Sequence, residues 1–547
     1  MKRKILNGII LALLVLMFGS ISIQAEGEAK FVEMDGVTVY TIDGVPCISL
    51  NGLVQYGDGW FYLEKGVLQS DKCGFVDYGT GTFYLANGQV TDYSGLVQDG
   101  EDWYFLAAGQ LQKEHTGFAL YDNEWFYIRD GKLAQDVNGL QVYDGSKFLV
   151  AAGRILYSYS GLFENTDGKW YYIASGMAQE QYSGLAEYDN AWFYLQNGII
   201  DTSFSGLYEY SGKRFLVGSG QVLSNYTGTY SEGYNCYSVE AGQIKYAIPQ
   251  PHTQEEIKAF FAAHPYSGSN AVTYSVVPSM TDYISGKLSD ATLQDGLNAV
   301  NTVRYIAGMP YDITCSSTYN QYAQDGAFVL ASNGTGLTHT PSNTSGIPAA
   351  LFESGYKGTS SSNIGRGYGN ISSSVIRGYM NDGSGSNLQT IGHRRWILCP
   401  NMQYIGFGYC NGYTTTYVFD SARKGYEVDY ITWPATNQPA ELFYGPWSVQ
   451  LSQSTFNIND QSNISVVMTD MNDGRTWTFS NSREYSTSER PYFNVDTSNY
   501  GWMDAIIFHP GEYFDAGDRV KVDITGLVDS EGNAASISYE VNFFSMN

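Results

Sequence analysis

Basic residues are scarce in this chain. Thirty Lys and Arg stand against 55 Asp and Glu, for a formal net charge of −25. That balance argues against nucleic acid and anionic membrane surfaces as partners, because both are held by Lys/Arg-rich patches. Histidine occurs only six times. Cysteine also occurs six times, with no C-x-x-C pair, which argues against a zinc ribbon. Beyond the N-terminus no apolar run reaches the roughly 18 residues that a membrane span requires. No nucleophile elbow or other catalytic signature is present, and the C-terminal "NFFSMN" carries no sorting motif.

The 547 residues should hold about three domains at roughly 100–200 residues each. An apolar content of 43% is ample for packed cores. The first residues, "MKRK", "ILNGIILALLVLMFG" and "SIQA", combine a basic start, an apolar core and small residues suited to cleavage after Ala25. Residues 1–25 therefore read as a secretory signal peptide, and the mature protein is expected outside the cell. Export permits disulfides among Cys47, Cys73, Cys236, Cys315, Cys399 and Cys410. Six cysteines allow 15 pairings, and Cys399–Cys410, the closest pair across a turn, is the first one expected.

After a segment or partial repeat at 26–50, residues 51–245 repeat. "SGLVQDGEDWYFLAAGQL", "TGFALYDNEWFYIRDGKL" and "SGLAEYDNAWFYLQNGII" are one unit written three ways. A glycine recurs about every 22 residues from Gly52 to Gly228, and a second tracks it from Gly66 to Gly242, marking about nine units. Each unit holds a short strand, a turn, an aromatic strand and a second turn. This is hairpin chemistry. One such hairpin cannot bury its own face, whereas stacked hairpins can, so the fold expected is a β-hairpin solenoid. Trp60, Trp103, Trp125, Trp170 and Trp192 share one slot, with Phe83, Phe148 and Phe215 assigned to the same slot and Cys236 in the ninth unit. These aromatics are either the core of the solenoid or, where strand alternation turns them outward, stacking surfaces for sugar rings.

The array resembles the choline- and glucan-binding repeats of Gram-positive surface proteins. The resemblance implies attachment to a cell-wall polymer. Choline-type units open with Gly-Trp, and that ring helps to cage an ammonium group; here the openings are Gly-Leu, Gly-Phe or Gly-Thr. The ligand expected is therefore a wall polymer or other glycan rather than choline itself.

Residues 246–287 read as a linker with a short helix. "SDATLQDGLNAVNTVRYIAGMP" then reads as a helix capped by Ser289 or Asp290 and stopped by Pro310. A second helix, "SSTYNQYAQDGAFVLASNG", is closed by Gly334. "LTHTP", "SSSNIGRGYG", "YMND", "TIGHRRWILCP" and "IGFGYC" follow in order. Over residues 288–425 this run resembles the CAP superfamily, named for cysteine-rich secretory proteins, antigen 5 and pathogenesis-related proteins. The resemblance implies an α-β-α sandwich around an antiparallel sheet, with a cleft formed by His339, Ser362, Asn363, Asp382 and His393. The Glu of the family's Glu-Asn-Ile run is Ser362 here. His339, His393 and Asp382 remain as a three-ligand set for a divalent metal such as zinc. A cleft kept by hydrogen bonding and packing alone stands beside the metal reading. Trp396 and Ile397 read as core, and Arg394 or Arg395 as a partner of Asp382 or another acid.

From about 440 to 547 short strands with period-2 patterning alternate with turn signals, which points to an immunoglobulin-like β-sandwich. His509, before Pro510, reads as a turn residue. The whole chain is thus expected to be a secreted, wall-associated protein with a non-enzymatic CAP-like binding module. Two alternatives differ in class. One is a hydrolase using His339, His393 and Ser362; the other is an adhesin whose repeats bind host glycans.

Overall fold

The structure is a computed structural model that describes residues 27–334, 336–482 and 484–547. The expected signal peptide lies outside them. The chain forms two compact units, one ending at Gly206 and taking in Val217–Val222, the other comprising Leu207–Leu216 and Leu223–Asn547.

The first unit is a run of hairpins. In the repeat that opens at Gly95, strand Gly95–Asp99 pairs antiparallel with Asp102–Ala107, and a two-residue strand, Gln110–Leu111, folds back on the latter. The turn between them is Ala108-Gly109, both at positive φ. Consecutive positive φ values match the right-handed twist of flanking strands, which is why the second glycine recurs. A Cβ at Gly109 would also collide with the Thr91 carbonyl. The short third strand joins the long strand of the preceding repeat, as in Gln110↔Phe83 and Gln89↔Phe61. Residues 29–46 form the same three-strand unit.

The fully buried position of each repeat is aliphatic. Leu63, Leu85, Leu106, Ile128, Ile173 and Leu195 are all 0% exposed. Trp60, Trp103, Trp125 and Trp170 are half-buried, and Trp192 is exposed. The core is therefore built from the aliphatic position, and the Trp slot borders it. Strand register also corrects one assignment. Trp60 is the second residue of its strand, and the equivalent second residues are Thr82, Lys147 and Arg214. Phe83, Phe148 and Phe215 are third residues, in register with Phe61. One position along a strand reverses the face a side chain presents, so these three do not extend the Trp slot.

The second unit carries four longer helices: α1 (Gln254–Ala263), α2 (Asp290–Ile306), α3 (Ser317–Asn333) and α4 (Ala349–Ser360). Ser289 caps α2 by accepting from Thr292 N, and Gly334 closes α3 at φ 63°, both as expected. A four-stranded sheet follows the order Thr314–Cys315, Tyr404–Cys410, Tyr413–Tyr417, Ser362–Arg366, antiparallel apart from its first pair. Its two faces are assigned by side-chain alternation. Gly406 and Gly408 leave no room for a Cβ beneath the α3 backbone, and Thr415 donates to the Ala323 carbonyl. Phe407, pointing the other way, meets Gly296 of α2. Helices thus cover both faces of the sheet.

Two further sheets occupy the C-terminal region, and their buried residues, Trp447, Val449, Phe508, Val522 and Phe543 among them, share one core cluster. Strand Tyr430–Trp433 pairs with Trp447–Leu451, so this region begins before residue 440. All six cysteines are free thiols. The expected Cys399–Cys410 bridge is not formed. Cys399 lies in the main core, whereas Cys410 packs with Ala327 and Phe328. Burial pushes the Cys399 thiol up to about 11 and that of Cys410 up to about 12.

Candidate functional site

Asn363 shares the α2 side of the central sheet with Phe407, and Ser362, one position along, shares the α3 side with Gly406. Residues Ser374–Tyr379 form a π-helical turn, closed by the Met380 N–H donating to the Val375 carbonyl at 2.9 Å. Such turns are rare and frequently mark functional positions. This one ends at Tyr379 and delivers Asp382 at φ 50°. Ile391, at φ 44°, is a β-branched residue in the left-handed region, a genuine conformational outlier. It starts the short helix Gly392–Ile397 that carries His393.

Asp382 and His393 meet there. Nδ1 of His393 lies 2.8 Å from one Asp382 oxygen, and the other oxygen accepts the backbone N–H groups of His393 at 2.8 Å and Arg394 at 3.3 Å. The carboxylate side chain is 1% exposed and the imidazole 19%. An ionised carboxylate only accepts, so Nδ1 carries the proton and Nε2 is left as a base or ligand. Asn363 donates to the His393 carbonyl at 2.9 Å, and the Tyr379 hydroxyl donates to the Asn363 carbonyl at 3.1 Å. Tyr379 was not singled out by sequence, although it is the aromatic of the motif that holds Asp382.

His339 is held separately. Its Nδ1 meets the Thr359 carbonyl at 2.8 Å, and the Thr359 hydroxyl donates to the His339 carbonyl. Neither histidine has a partner on Nε2 among the described residues. Ser362 is buried, and its hydroxyl has no hydrogen-bond partner among the described residues, so neither histidine is bonded to it in this structure. Among the described residues no three His, Cys, Asp or Glu side chains come together as a metal-binding group. Asp382 accepts from three N–H groups and orients His393 through them.

The two arginines after His393 point away from the cleft. Arg394 is fully buried and donates to four neutral acceptors, the Met380, Asn381 and Pro446 carbonyls and the Ser448 hydroxyl. Burial lowers its pKa to about 9, against the pull of nearby Asp382, and it remains protonated at neutral pH. Arg395 pairs with Asp496 and donates to the Thr390, Tyr500 and Met503 carbonyls. Trp396 and Ile397 are buried as expected.

In the repeats, the Trp slot reaches the next unit. Trp60 packs on Tyr78, Trp103 on Tyr121 and Trp170 on Tyr188, with ring centroids 5.3, 5.3 and 4.8 Å apart. Each pair places two aromatic walls between neighbouring hairpins. The tyrosines were missed in the sequence, although the signal is there: Tyr56, Tyr78, Tyr121, Tyr188 and Tyr210 end the first strand of their units.

No helix among the described residues is long and apolar enough to cross a membrane. A model of the cysteine-rich secretory protein family matches residues 297–422. A choline-binding repeat model matches residues 50–69, 116–134, 158–177 and 181–201. No curated protein matches the chain. Among solved structures, the modular autolysin LytC from Streptococcus pneumoniae is 17% identical with a TM-score of 0.24, over 41% of this chain and 49% of that one. An alternansucrase in complex with isomaltotriose is 15% identical with a TM-score of 0.13, over 56% of this chain and 22% of its own. A truncated alternansucrase from Leuconostoc mesenteroides NRRL B-1355 is also 15% identical, with a TM-score of 0.12 over 55% and 22%. The chain spans 49% of the autolysin and 22% of each alternansucrase, and at these TM-scores the likenesses carry no argument. The two family models, in agreement with the motifs, show that the chain carries choline-binding repeats followed by a domain of the cysteine-rich secretory protein family.

Proposed function

We propose that this is a secreted, surface-associated protein whose repeats hold a cell-wall glycan or choline-bearing polymer and whose CAP domain is a non-enzymatic binding module, braced by an immunoglobulin-like sandwich. The observation that carries this reading is the Trp–Tyr pair repeated between hairpins at Trp60/Tyr78, Trp103/Tyr121 and Trp170/Tyr188. A pair of half-exposed aromatic walls suits the apolar face of a sugar ring or an ammonium group. Repetition adds avidity, because sites on one scaffold engage a polymer at high effective concentration. The non-enzymatic reading is supported by the buried hydroxyl of Ser362, which has no partner among the described residues.

One observation favours the hydrolase alternative. Asp382 orients His393 with no partner on Nε2 among the described residues, as a third group orients a general base. Cosedimentation of the mature chain with purified Gram-positive cell walls, with released wall glycan or choline as competitor, tests the binding reading. Retention displaced by either competitor supports it, and no retention overturns it. Release of soluble fragments from the same walls, abolished by His393→Ala, would replace the non-enzymatic reading with the hydrolase.

A further inference from the structure

A cavity of about 400 Å³ lies in the second unit, lined by Arg214, Asn401, Glu427, Asp429, Ser454 and Trp502 among others. The volume is within the range of small-molecule sites, ~300–1,000 Å³. Its wall is mostly polar, with one large exposed ring. Trp502 is 48% exposed.

The turn that presents this ring is built rather than loose. Asn499, Gly501 and Trp502 all have positive φ, at 58°, 62° and 64°. A left-handed tryptophan is strained and persists only where its surroundings over-determine it. The surroundings here are Arg395, whose guanidinium donates to the carbonyls of Tyr500 and Met503 on either side of Trp502 and pairs with Asp496. Gly501 packs so closely on the Arg395 carbonyl that a Cβ would collide with it. The edge of the indole is braced by Trp396 at 5.8 Å and 85°.

The rest of the lining supplies polar groups. Glu427 is held by Arg214 at 2.6 Å and by the amide of Asn235 on its own backbone N–H. Asp429 accepts from the Ala247 N–H at 2.7 Å and from the Thr455 hydroxyl. The side-chain amide of Asn401 has no protein partner among the described residues, and Ser454 meets only Ser452, at 2.7 Å. Carboxylates, an amide, a guanidinium and hydroxyls lining one cavity with an aromatic ring form the donor and acceptor set that a polyhydroxylated ring satisfies. Its hydroxyls both donate and accept, and its C–H face covers the indole.

We infer that this cavity is a carbohydrate site, taking a short oligosaccharide with one ring stacked on Trp502 and its hydroxyls on Asn401, Glu427 and Asp429. It shares no residue with the Trp–Tyr pairs of the repeats and stands or falls without them.

The test is calorimetric titration of the mature chain with the di- and trisaccharides of glucose, of N-acetylglucosamine and of galactose. The chain is compared with Trp502→Ala, Asn401→Ala and the repeat variant Trp103→Ala/Trp170→Ala. At least one sugar is expected to bind, with affinity reduced tenfold or more in Trp502→Ala and in Asn401→Ala and unchanged in the repeat variant. Equal melting temperatures show that the variants are folded. No binding by any sugar of the panel, or binding that Trp502→Ala leaves intact, overturns the inference. Loss of binding in the repeat variant alone would place the sugar on the repeats and overturn it equally.

Discussion

Asp382 holds His393 twice, through Nδ1 and through the backbone N–H, each at 2.8 Å. The ring and its chain segment are thus positioned by one buried carboxylate. Asp382→Asn keeps a residue that tolerates the left-handed region, so backbone strain should change little. It removes the charge, and hydrogen bonds to charged groups contribute about 1.5–3 kcal/mol each. A loss of about 2–3 kcal/mol in denaturant unfolding is expected, together with a change in the His393 tautomer read from nitrogen-15 chemical shifts. An unchanged tautomer would separate Asp382 from the control of this histidine.

Arg394 should matter more than an ordinary interior residue. Arg394→Ala leaves four neutral acceptors without their donor, and each buried polar group left unsatisfied costs about 1–3 kcal/mol. Because two of those acceptors are Pro446 and Ser448, hydrogen exchange is expected to accelerate along Trp447–Leu451. Exchange confined to the segment 380–394 would contradict that link.

Gly408→Ala tests the packing of α3 on the sheet. A Cβ there would run into the Ala323 backbone, and overpacking of this kind costs about 1–3 kcal/mol or more. Gly369→Ala, where nothing lies within 4 Å, is the control and should be near neutral. Thermal melts of the two variants decide it.

His509 is buried at the end of strand Asp504–His509, and its Nδ1 accepts the Gly511 N–H at 2.9 Å. Burial first, then the nearby arginines, push its pKa down to about 4. The folded state therefore holds it neutral while the unfolded chain, near 6.5, takes up a proton. Its contribution is fully present above about pH 6.5 and is lost as pH falls towards 4, at up to ~1.4 kcal/mol per pH unit. His509→Asn retains an acceptor near Nδ1. Its stability should depend less on pH than that of the wild type between pH 6.5 and 4, measured by denaturant unfolding at each pH. Parallel curves would refute the assignment.

The repeat period was legible because turn chemistry is local: Gly66, Gly109 and their equivalents sit where only positive φ closes the hairpin. The register of Phe83, Phe148 and Phe215 was not, because a run of aromatics looks the same when shifted by one residue. The cap at Ser289 and the αL residue Gly334 were readable from neighbours in sequence. The cleft was readable only through motif order. That Asp382 orients His393 and that Arg394 and Arg395 reach Pro446, Ser448 and Asp496 depend on contacts across about 10 to 100 residues of chain, which no local pattern encodes.

The central claim is that the paired aromatics between hairpins hold the wall polymer. The most direct measurement compares retention on purified cell walls of the mature chain, of Trp103→Ala/Trp170→Ala and of Phe83→Leu/Phe148→Leu. The tryptophan variant is expected to lose tenfold or more in apparent affinity, and the phenylalanine variant, altered at the neighbouring strand position, to keep it. Full retention by a folded tryptophan variant would contradict the account.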